Sequence, residues 1–156
     1  MLNHIIKNDI DIILRKLDPS IFKEKSVLIT GGAGFLGSWL CDTLVSCGSK
    51  VYCADNFSTG LKTNINHLLS LRNFHLTQTE VEKINADIGK FDLIMHFASR
   101  ASPNDYQNHP IQTLTANSLG TMKTLELARN SNATFLYASS SEVYGDAEAI
   151  PTHESY

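Results

Sequence analysis

The chain has 156 residues, 42% of them hydrophobic and 19% charged, which is the composition of one globular domain with a sizeable core. Its formal net charge of −3 leaves no basic excess for nucleic acid, so we expect no nucleic-acid partner. Three cysteines, Cys41, Cys47 and Cys53, contain no C-x-x-C pair. This spacing argues against a disulfide framework or a metal site and favours reduced thiols in the cytoplasm.

Residues 1–24 are predicted to form an N-terminal helical extension of a domain that covers residues 25–156. Apolar residues recur three or four positions apart over residues 3–17, which predicts an amphipathic helix that ends before Asp18 and Pro19. Asn, Asp, Lys and Arg interrupt the apolar residues, so this segment has neither the apolar core of a signal peptide nor a membrane span. We expect this helix to pack on the domain or on a partner subunit rather than on a membrane.

Short apolar runs that predict buried strands alternate with helical patterns along the rest of the chain. The predicted strands cover residues 26–30, 50–55, 73–78, 91–99 and 133–141. Helical patterns follow Gly34, span roughly residues 61–71, and run from Pro110 to Arg129. This alternation predicts an α/β fold with a doubly wound parallel sheet covered by helices on both faces.

The stretch "LITGGAGFLGSWL" places a glycine pattern directly after the first predicted strand. Gly31, Gly34 and Gly37 are three positions apart and open a helical pattern. In a dinucleotide-binding turn the first glycine allows a tight turn, the second lets the backbone approach a pyrophosphate, and the third lets helix and strand pack closely. Turns also use glycine for its conformational freedom alone, so the pattern needs further support.

Asp55 provides that support because it ends the second predicted strand, 18 residues after Gly37. A carboxylate there accepts hydrogen bonds from the ribose hydroxyls of a dinucleotide. The same charge repels a 2′-phosphate, which favours NAD over NADP. The alternative is that Asp55 is a solvated turn residue beside Asn56.

Ligands of doubly wound sheets bind at the carboxyl ends of the strands, near the point where the strand order reverses. The segments that follow the two later apolar strands, "HFASRASP" and "ASSSEVYG", are therefore expected to line the same crevice as the glycine turn.

Four stretches now carry a family resemblance: "ITGGAGFLGSWL", "ADNFSTGLKTNI", "HFASRASPNDYQNHPIQTLTANSLGT" and "FLYASSSEVYGD". Over about residues 25–156 the chain resembles the extended short-chain dehydrogenase/reductases, the NAD-dependent nucleotide-sugar epimerases and dehydratases. "ASP" at 101–103 and "SEVYGD" at 141–146 resemble the UDP-glucuronate decarboxylase branch. The resemblance implies a Rossmann-type NAD-binding fold, NAD as cofactor and a UDP-sugar as substrate.

The resemblance also implies the site residues. Those implied to bind the cofactor are Gly31, Gly34, Phe35, Leu36, Gly37, Asp55, Asn56, Ala98 and Ser99. Ser140 matches the family's catalytic serine or threonine, and Glu142 matches a glutamate of the decarboxylase and dehydratase branches. Ser141 stands where a dehydratase has aspartate, and its hydroxyl is too weak an acid to protonate a leaving oxygen, which disfavours dehydration.

The implied reaction oxidises the C4 hydroxyl of UDP-glucuronate with NAD, releases carbon dioxide from the resulting β-keto acid, and returns the hydride.

Two smaller roles are also expected. Asn117, in "TANSLGT", is expected to fasten its helix to a strand by hydrogen bonds. Either Glu80 or Asp87 is expected beside the adenine. Arg100 is a departure, because the decarboxylase pattern has proline at that position.

The largest departure concerns a tyrosine that the family pairs with a lysine four positions later, whose charge lowers the tyrosine pKa. None of the five tyrosines has such a lysine. We therefore expect these residues to be the N-terminal, NAD-binding half of a longer enzyme, not catalytically competent alone and a homodimer when intact. The alternatives are a nucleotide-sugar 4-epimerase and a non-catalytic dinucleotide-binding module.

Overall fold

The structure is a computed structural model that describes residues 4–156. It contains a five-stranded sheet of β1 to β5, in the spatial order β3-β2-β1-β4-β5. The strands are β1 (Ser26–Thr30), β2 (Lys50–Asp55), β3 (Phe74–Gln78), β4 (Leu93–His96) and β5 (Thr134–Tyr137). Every pairing is parallel. The predicted doubly wound parallel sheet is confirmed.

The helices are α1 (His4–Lys16), α2 (Phe35–Ser46), α3 (Pro103–Asn108), α4 (Pro110–Thr115) and α5 (Thr121–Ser131). Helix α1 packs against α2 and buries Ile10. Residue 3, included in the predicted first helix, lies outside the described residues. No helix within residues 4–156 combines the length and the apolar character that a membrane crossing requires.

Apolar side chains alternate between the two faces of the sheet because successive residues of a strand point in opposite directions. On one face Val27, Ile29 and Val51 pack in a cluster that includes Cys41 and Leu44 of α2. On the other face Leu28 and Ile94 pack in a cluster with Leu127 of α5. Both faces of the sheet are thus covered by apolar side chains, so the polar groups of a binding site lie at the ends of the strands.

The helix predicted over residues 61–71 is wrong in type. The segment forms a 3₁₀ helix at Lys62–Asn64 followed by turns. Leu68 N–H donates to the Ile65 carbonyl at 3.0 Å, and Leu71 N–H donates to the Leu68 carbonyl at 2.9 Å. These bonds span three residues rather than four, and that spacing puts both Ile65 and Leu68 into the core.

The two later strands are shorter than predicted, and the helical stretch after Pro110 is not a uniform α-helix. Beyond His96, Phe97 N–H donates to both the carbonyl and the side-chain oxygen of Thr30, and Ala98 N–H donates to the side-chain oxygen, so β4 ends there. Residues Ala116–Gly120 form a π-helical turn between α4 and α5. Gly120 faces Val81, and a Cβ at Gly120 would lie 2.4 Å from Val81 Cγ1. Helix α3 was not predicted.

Candidate cofactor site

A cleft of about 360 Å³ lies at the carboxyl ends of β1, β2 and β4. The strand order reverses between β1 and β4, so the glycine turn and the segment after β4 face each other there. Six of the nine residues predicted to bind the cofactor line this cleft: Gly31, Gly34, Asp55, Asn56, Ala98 and Ser99. The structure thus brings together segments that are more than sixty positions apart in sequence.

The three glycines of the turn have different steric reasons to be glycine. Gly31 has φ +71°, and a Cβ there would lie 2.8 Å from the Phe97 carbonyl carbon. A Cβ at Gly37 would lie 2.1 Å from the Gly31 carbonyl oxygen, so Gly37 lets α2 pack against the turn. Gly34 is restricted on one side only, by the Gly31 oxygen at 3.1 Å, and it lines the cleft.

Helix α2 begins immediately after Gly34, so its positive end lies at the glycine turn. The side chains of Phe35 and Leu36 are 78% and 59% exposed, and neither residue lines the cleft. Phe35, Leu36 and Gly37 contribute backbone N–H groups to the site. These are the first N–H groups of α2, and they have no acceptor within the helix.

Two buried thiols lie beneath the glycine turn. A Cβ at Gly32 would lie 2.5 Å from Cys53 Sγ and 3.2 Å from Cys41 Sγ, so glycine is required at that position as well. The hydrogen bond with Cys53, together with burial, raises the pKa of Cys41 well above its ordinary value. Cys41 is therefore a protonated thiol that packs under the turn and not a nucleophile.

The Asp55 carboxylate is buried and holds the rim of the cleft in shape. Its Oδ2 accepts a hydrogen bond from Ala33 N–H at 2.9 Å, and its Oδ1 accepts one from Phe57 N–H at 2.8 Å. Gly60 approaches so closely that a Cβ there would lie 3.0 Å from both carboxylate oxygens. Because a carboxylate has about four acceptor positions, Asp55 retains acceptor capacity on its cleft side.

A polar network behind the cleft was not predicted. The ring of His96 is buried, with Nδ1 at 2.7 Å from Thr30 Oγ1 and Nε2 at 3.1 Å from Thr121 Oγ1. Burial lowers the pKa of His96 below its ordinary value, so the ring is neutral. The sequence signal that could have indicated this network is the polar residue His96 at the end of the apolar strand β4.

This network also corrects the role predicted for Asn117. Its side-chain amide donates to the Thr113 carbonyl at 2.9 Å, within the same helical stretch, and not to a strand. His96 connects the sheet to the helix instead. Its ring, on β4, contacts Thr30 of β1 and Thr121 of α5.

The two predicted catalytic residues lie apart from this cleft. Ser140 immediately precedes the 3₁₀ helix Ser141–Tyr144, which contains Glu142. Both side chains are exposed, neither residue is among the described residues that line the cleft, and neither side chain makes a hydrogen bond within residues 4–156. They follow β5, which is the neighbour of β4 in the sheet.

Of the two acidic residues predicted near adenine, Glu80 lines the cleft and Asp87 does not. Glu80 also forms an ion pair with Lys83. Two further lining residues, Thr79 and Gln112, were not assigned to the site from the sequence. Arg100 also lines the cleft, and it belongs to the segment after β4 that was expected there.

Comparison with known proteins decides the family. The sequence profile of the NAD dependent epimerase/dehydratase family matches residues 27–156. The chain belongs to this family of NAD-dependent epimerases and dehydratases. The predicted resemblance and its cofactor, NAD, are thereby confirmed at the level of the family.

Several curated relatives are named as UDP-glucuronic acid decarboxylases. The chain is 47% identical over 134 residues to UDP-glucuronic acid decarboxylase 1 of Danio rerio, an alignment that covers 85% of this chain and 31% of that protein. It is 42% identical to UDP-glucuronic acid decarboxylase 1 of Arabidopsis thaliana, over 86% of this chain and 30% of the relative. The chain therefore spans about a third of the length of these relatives.

Solved structures from the family include epimerases. The UDP-N-acetylglucosamine 4-epimerase of Methanobrevibacter ruminantium superimposes with a TM-score of 0.76 at 31% identity, over 85% of this chain and 43% of the epimerase. A UDP-galactose 4-epimerase superimposes with a TM-score of 0.68 at 36% identity, over 81% of this chain and 42% of that chain.

Proposed function

We propose that this chain forms the NAD-binding part of a UDP-glucuronate decarboxylase. One observation carries the proposal: Gly34, open on its cleft side, and the buried Asp55 carboxylate line one cleft. A pyrophosphate requires close backbone approach, and a ribose requires a hydrogen-bond acceptor beside it. The decarboxylase relatives supply the substrate class.

The residues of the cleft fit NAD. The first N–H groups of α2 and the positive end of its dipole would hold a pyrophosphate bound at Gly34. The backbone segment Ala98–Ser99, which closes the other side of the cleft, is held in place by the hydrogen bond from Ala98 N–H to Thr30 Oγ1 at 3.3 Å.

Asp55 accounts for the choice between NAD and NADP. Its carboxylate accepts hydrogen bonds from the hydroxyls of the adenosine ribose, whereas a 2′-phosphate brings a second negative charge to a buried carboxylate. Its contacts with Ala33 and Phe57 fix the carboxylate in place, so it cannot rotate away from the phosphate without breaking two hydrogen bonds.

NAD, when bound, would accept the hydride from C4 of the sugar and return it after the resulting β-keto acid has lost carbon dioxide. Ser140 contributes a hydroxyl that hydrogen-bonds the sugar oxygen, and Glu142 contributes a carboxylate on the same exposed segment. The four tyrosines before Tyr156 are not followed four positions later by the lysine that the proton transfer needs, and Tyr156 is the last residue of the sequence. We therefore propose that these 156 residues on their own bind NAD without turning over substrate.

A chimera tests the catalytic part of this proposal. We would join this chain, at the end of the aligned region, to the remaining C-terminal part of the Danio rerio relative. Incubation with UDP-glucuronate is expected to release carbon dioxide and form UDP-xylose. Ser140→Ala and Glu142→Gln should each lower kcat by about a hundredfold, whereas Ser141→Ala and Glu148→Gln should not.

A 4-epimerase is the second candidate, because solved 4-epimerases superimpose on the chain at 31% and 36% identity. The same incubation separates the two reactions. An epimerase would form UDP-galacturonate and release no carbon dioxide. That product pattern from a chimera that binds NAD would overturn the decarboxylase proposal.

The intact protein is proposed to be a cytoplasmic homodimer. A continuous apolar surface on α4, the π-helical turn and α5 supports the dimer. Its exposed residues are Ile111 (74%), Leu114 (69%), Leu119 (51%), Met122 (54%) and Leu125 (46%). Burial of such a face against a second copy removes apolar area from water.

Cys41, Cys47 and Cys53 are all free thiols, which supports a reducing compartment.

A further inference from the structure

Arg100 is the one cationic side chain among the described residues that line the cofactor cleft. The other charged lining residues are Asp55, Glu80 and Glu82, all acidic. A dinucleotide pyrophosphate is an anion, and a cleft with this charge balance would repel it without a cation of its own. The glycine turn supplies backbone dipoles but no full positive charge.

We infer that Arg100 binds the pyrophosphate of NAD and that Asp105 orients it for this contact. This inference rests on the proposed NAD-binding function. Arg100 lies two positions beyond Ala98, whose backbone N is 2.9 Å from the position a Cβ would take on Gly31. The guanidinium is thus carried by the segment that faces the glycine turn across the cleft.

The contact with Asp105 holds the guanidinium in one orientation and leaves donors for a ligand. Nη1 donates to both carboxylate oxygens of Asp105, at 2.7 and 2.8 Å. Arginine has five N–H donors. Within residues 4–156 no other hydrogen bond of this guanidinium occurs, so Nε–H and the two N–H groups of Nη2 remain available.

Burial strengthens the ion pair of Arg100 with Asp105 and the proposed contact of Arg100 with the pyrophosphate. The Arg100 side chain is 15% exposed and the Asp105 side chain 24%, so the pair is shielded from much of the solvent. A guanidinium in such a setting forms stronger hydrogen bonds to phosphate oxygens than an exposed lysine does, because its N–H groups match two oxygens at once. The alternative is that the pair only ties the segment after β4 to α3.

Binding measurements on the full chain separate these possibilities. Calorimetry would give the Kd for NAD, and a chemical-shift titration would give the Kd for adenosine, which has the ribose and base but no phosphate. Arg100→Gln is expected to raise the Kd for NAD by about tenfold or more and to leave that for adenosine unchanged. Lys50→Gln is the matched control, because Lys50 begins β2 at the opposite end of the sheet.

Arg100→Gln leaves Asp105 with only the His109 ring, whose Nε2 lies 3.9 Å from Asp105 Oδ1. The double variant Arg100→Gln, Asp105→Asn is therefore measured beside it to remove the carboxylate charge that has lost its arginine. The double variant is expected to show the same rise in the Kd for NAD and no change in the Kd for adenosine. Wild-type affinity for NAD in a folded Arg100 variant would overturn the inference and leave the proposed function intact. An equal loss for NAD and adenosine would assign the pair a structural role only. No NAD binding by the wild-type chain would overturn both.

Discussion

The hydroxyl of Thr30 and the imidazole of His96 join the ends of β1 and β4 across 2.7 Å. Thr30 Oγ1 already accepts hydrogen bonds from Phe97 N–H and Ala98 N–H, so its own proton is donated to His96 Nδ1. Thr121 Oγ1 donates to the Asn117 carbonyl at 2.9 Å and therefore accepts from His96 Nε2–H. This network assigns the Nε2–H tautomer, in which Nδ1 is the acceptor for Thr30.

Stability is therefore expected to depend on pH through His96. Burial holds its pKa in the folded state below the ordinary value of 6.5. The unfolded chain then binds a proton more readily than the folded chain. The stabilisation from His96 is complete above the ordinary pKa and is lost as pH falls through the folded pKa, by at most about 1.4 kcal/mol per pH unit.

Urea unfolding at several pH values between about 7.5 and 5.5, on either side of the ordinary histidine pKa, measures this dependence. His96→Asn should be less stable throughout and should show a flatter decline with acid. His75→Asn, at an exposed position on β3, should decline as the wild type does. Identical slopes for all three proteins would contradict the assignment.

Two glycines of the turn are expected to separate stability from cofactor binding. Gly37→Ala places a methyl group 2.1 Å from the Gly31 carbonyl oxygen, and backbone must move to accept it. We expect a loss of about 2 to 4 kcal/mol in the free energy of unfolding. Gly34 has φ −70°, a conformation that alanine adopts freely, and its Cβ would meet only one atom, at 3.1 Å.

Gly34→Ala should therefore fold with nearly wild-type stability and bind NAD much more weakly, because its methyl group lies where the pyrophosphate must approach. Thermal denaturation and calorimetric titration of both variants test the distinction. Full NAD affinity in Gly34→Ala would show that the phosphates do not pass over this residue.

The apolar face of α4 and α5 is expected to mediate dimerisation. Leu114→Gln and Met122→Gln each place a polar group in the centre of that face and should shift the chain towards monomer. Ile150→Gln is the matched control, because Ile150 is 93% exposed and lies outside the face. Sedimentation equilibrium measures the dissociation constant. A wild-type chain that is monomeric at all concentrations, or variants that dimerise equally well, would exclude this interface.

Much of the fold was predictable because buried parallel strands are continuous apolar runs. The runs at Ser26–Thr30 and Lys50–Asp55 matched the observed strands residue for residue. The end of β4 was not predictable, because Phe97 and Ala98 continue the apolar pattern past it. The prediction for β5 was too long because it included the polar run at residues 139–141, which lies beyond the strand. For residues 61–71, apolar positions three apart are compatible with both an α-helix and 3₁₀ turns.

The candidate site was predictable where it depends on local sequence. The glycine spacing and Asp55 lie at fixed offsets from strand ends, so Gly31, Gly34 and Asp55 could be assigned to one cleft before the structure was known. The network of Thr30, His96 and Thr121 could not, because it joins three elements whose side-chain directions depend on packing. The pairing of Arg100 with Asp105 depends likewise on the path of the chain between β4 and α3.

The central claim is that this cleft binds NAD through the glycine turn and Asp55. Calorimetric titration of the chain with NAD and with NADP, repeated with Asp55→Asn and the control Asp87→Asn, tests it most directly. We predict NAD binding at least about tenfold tighter than NADP, a preference lost in Asp55→Asn and kept in Asp87→Asn, whose site lies outside the cleft. A folded chain that binds neither dinucleotide, or that binds both equally, would contradict this account.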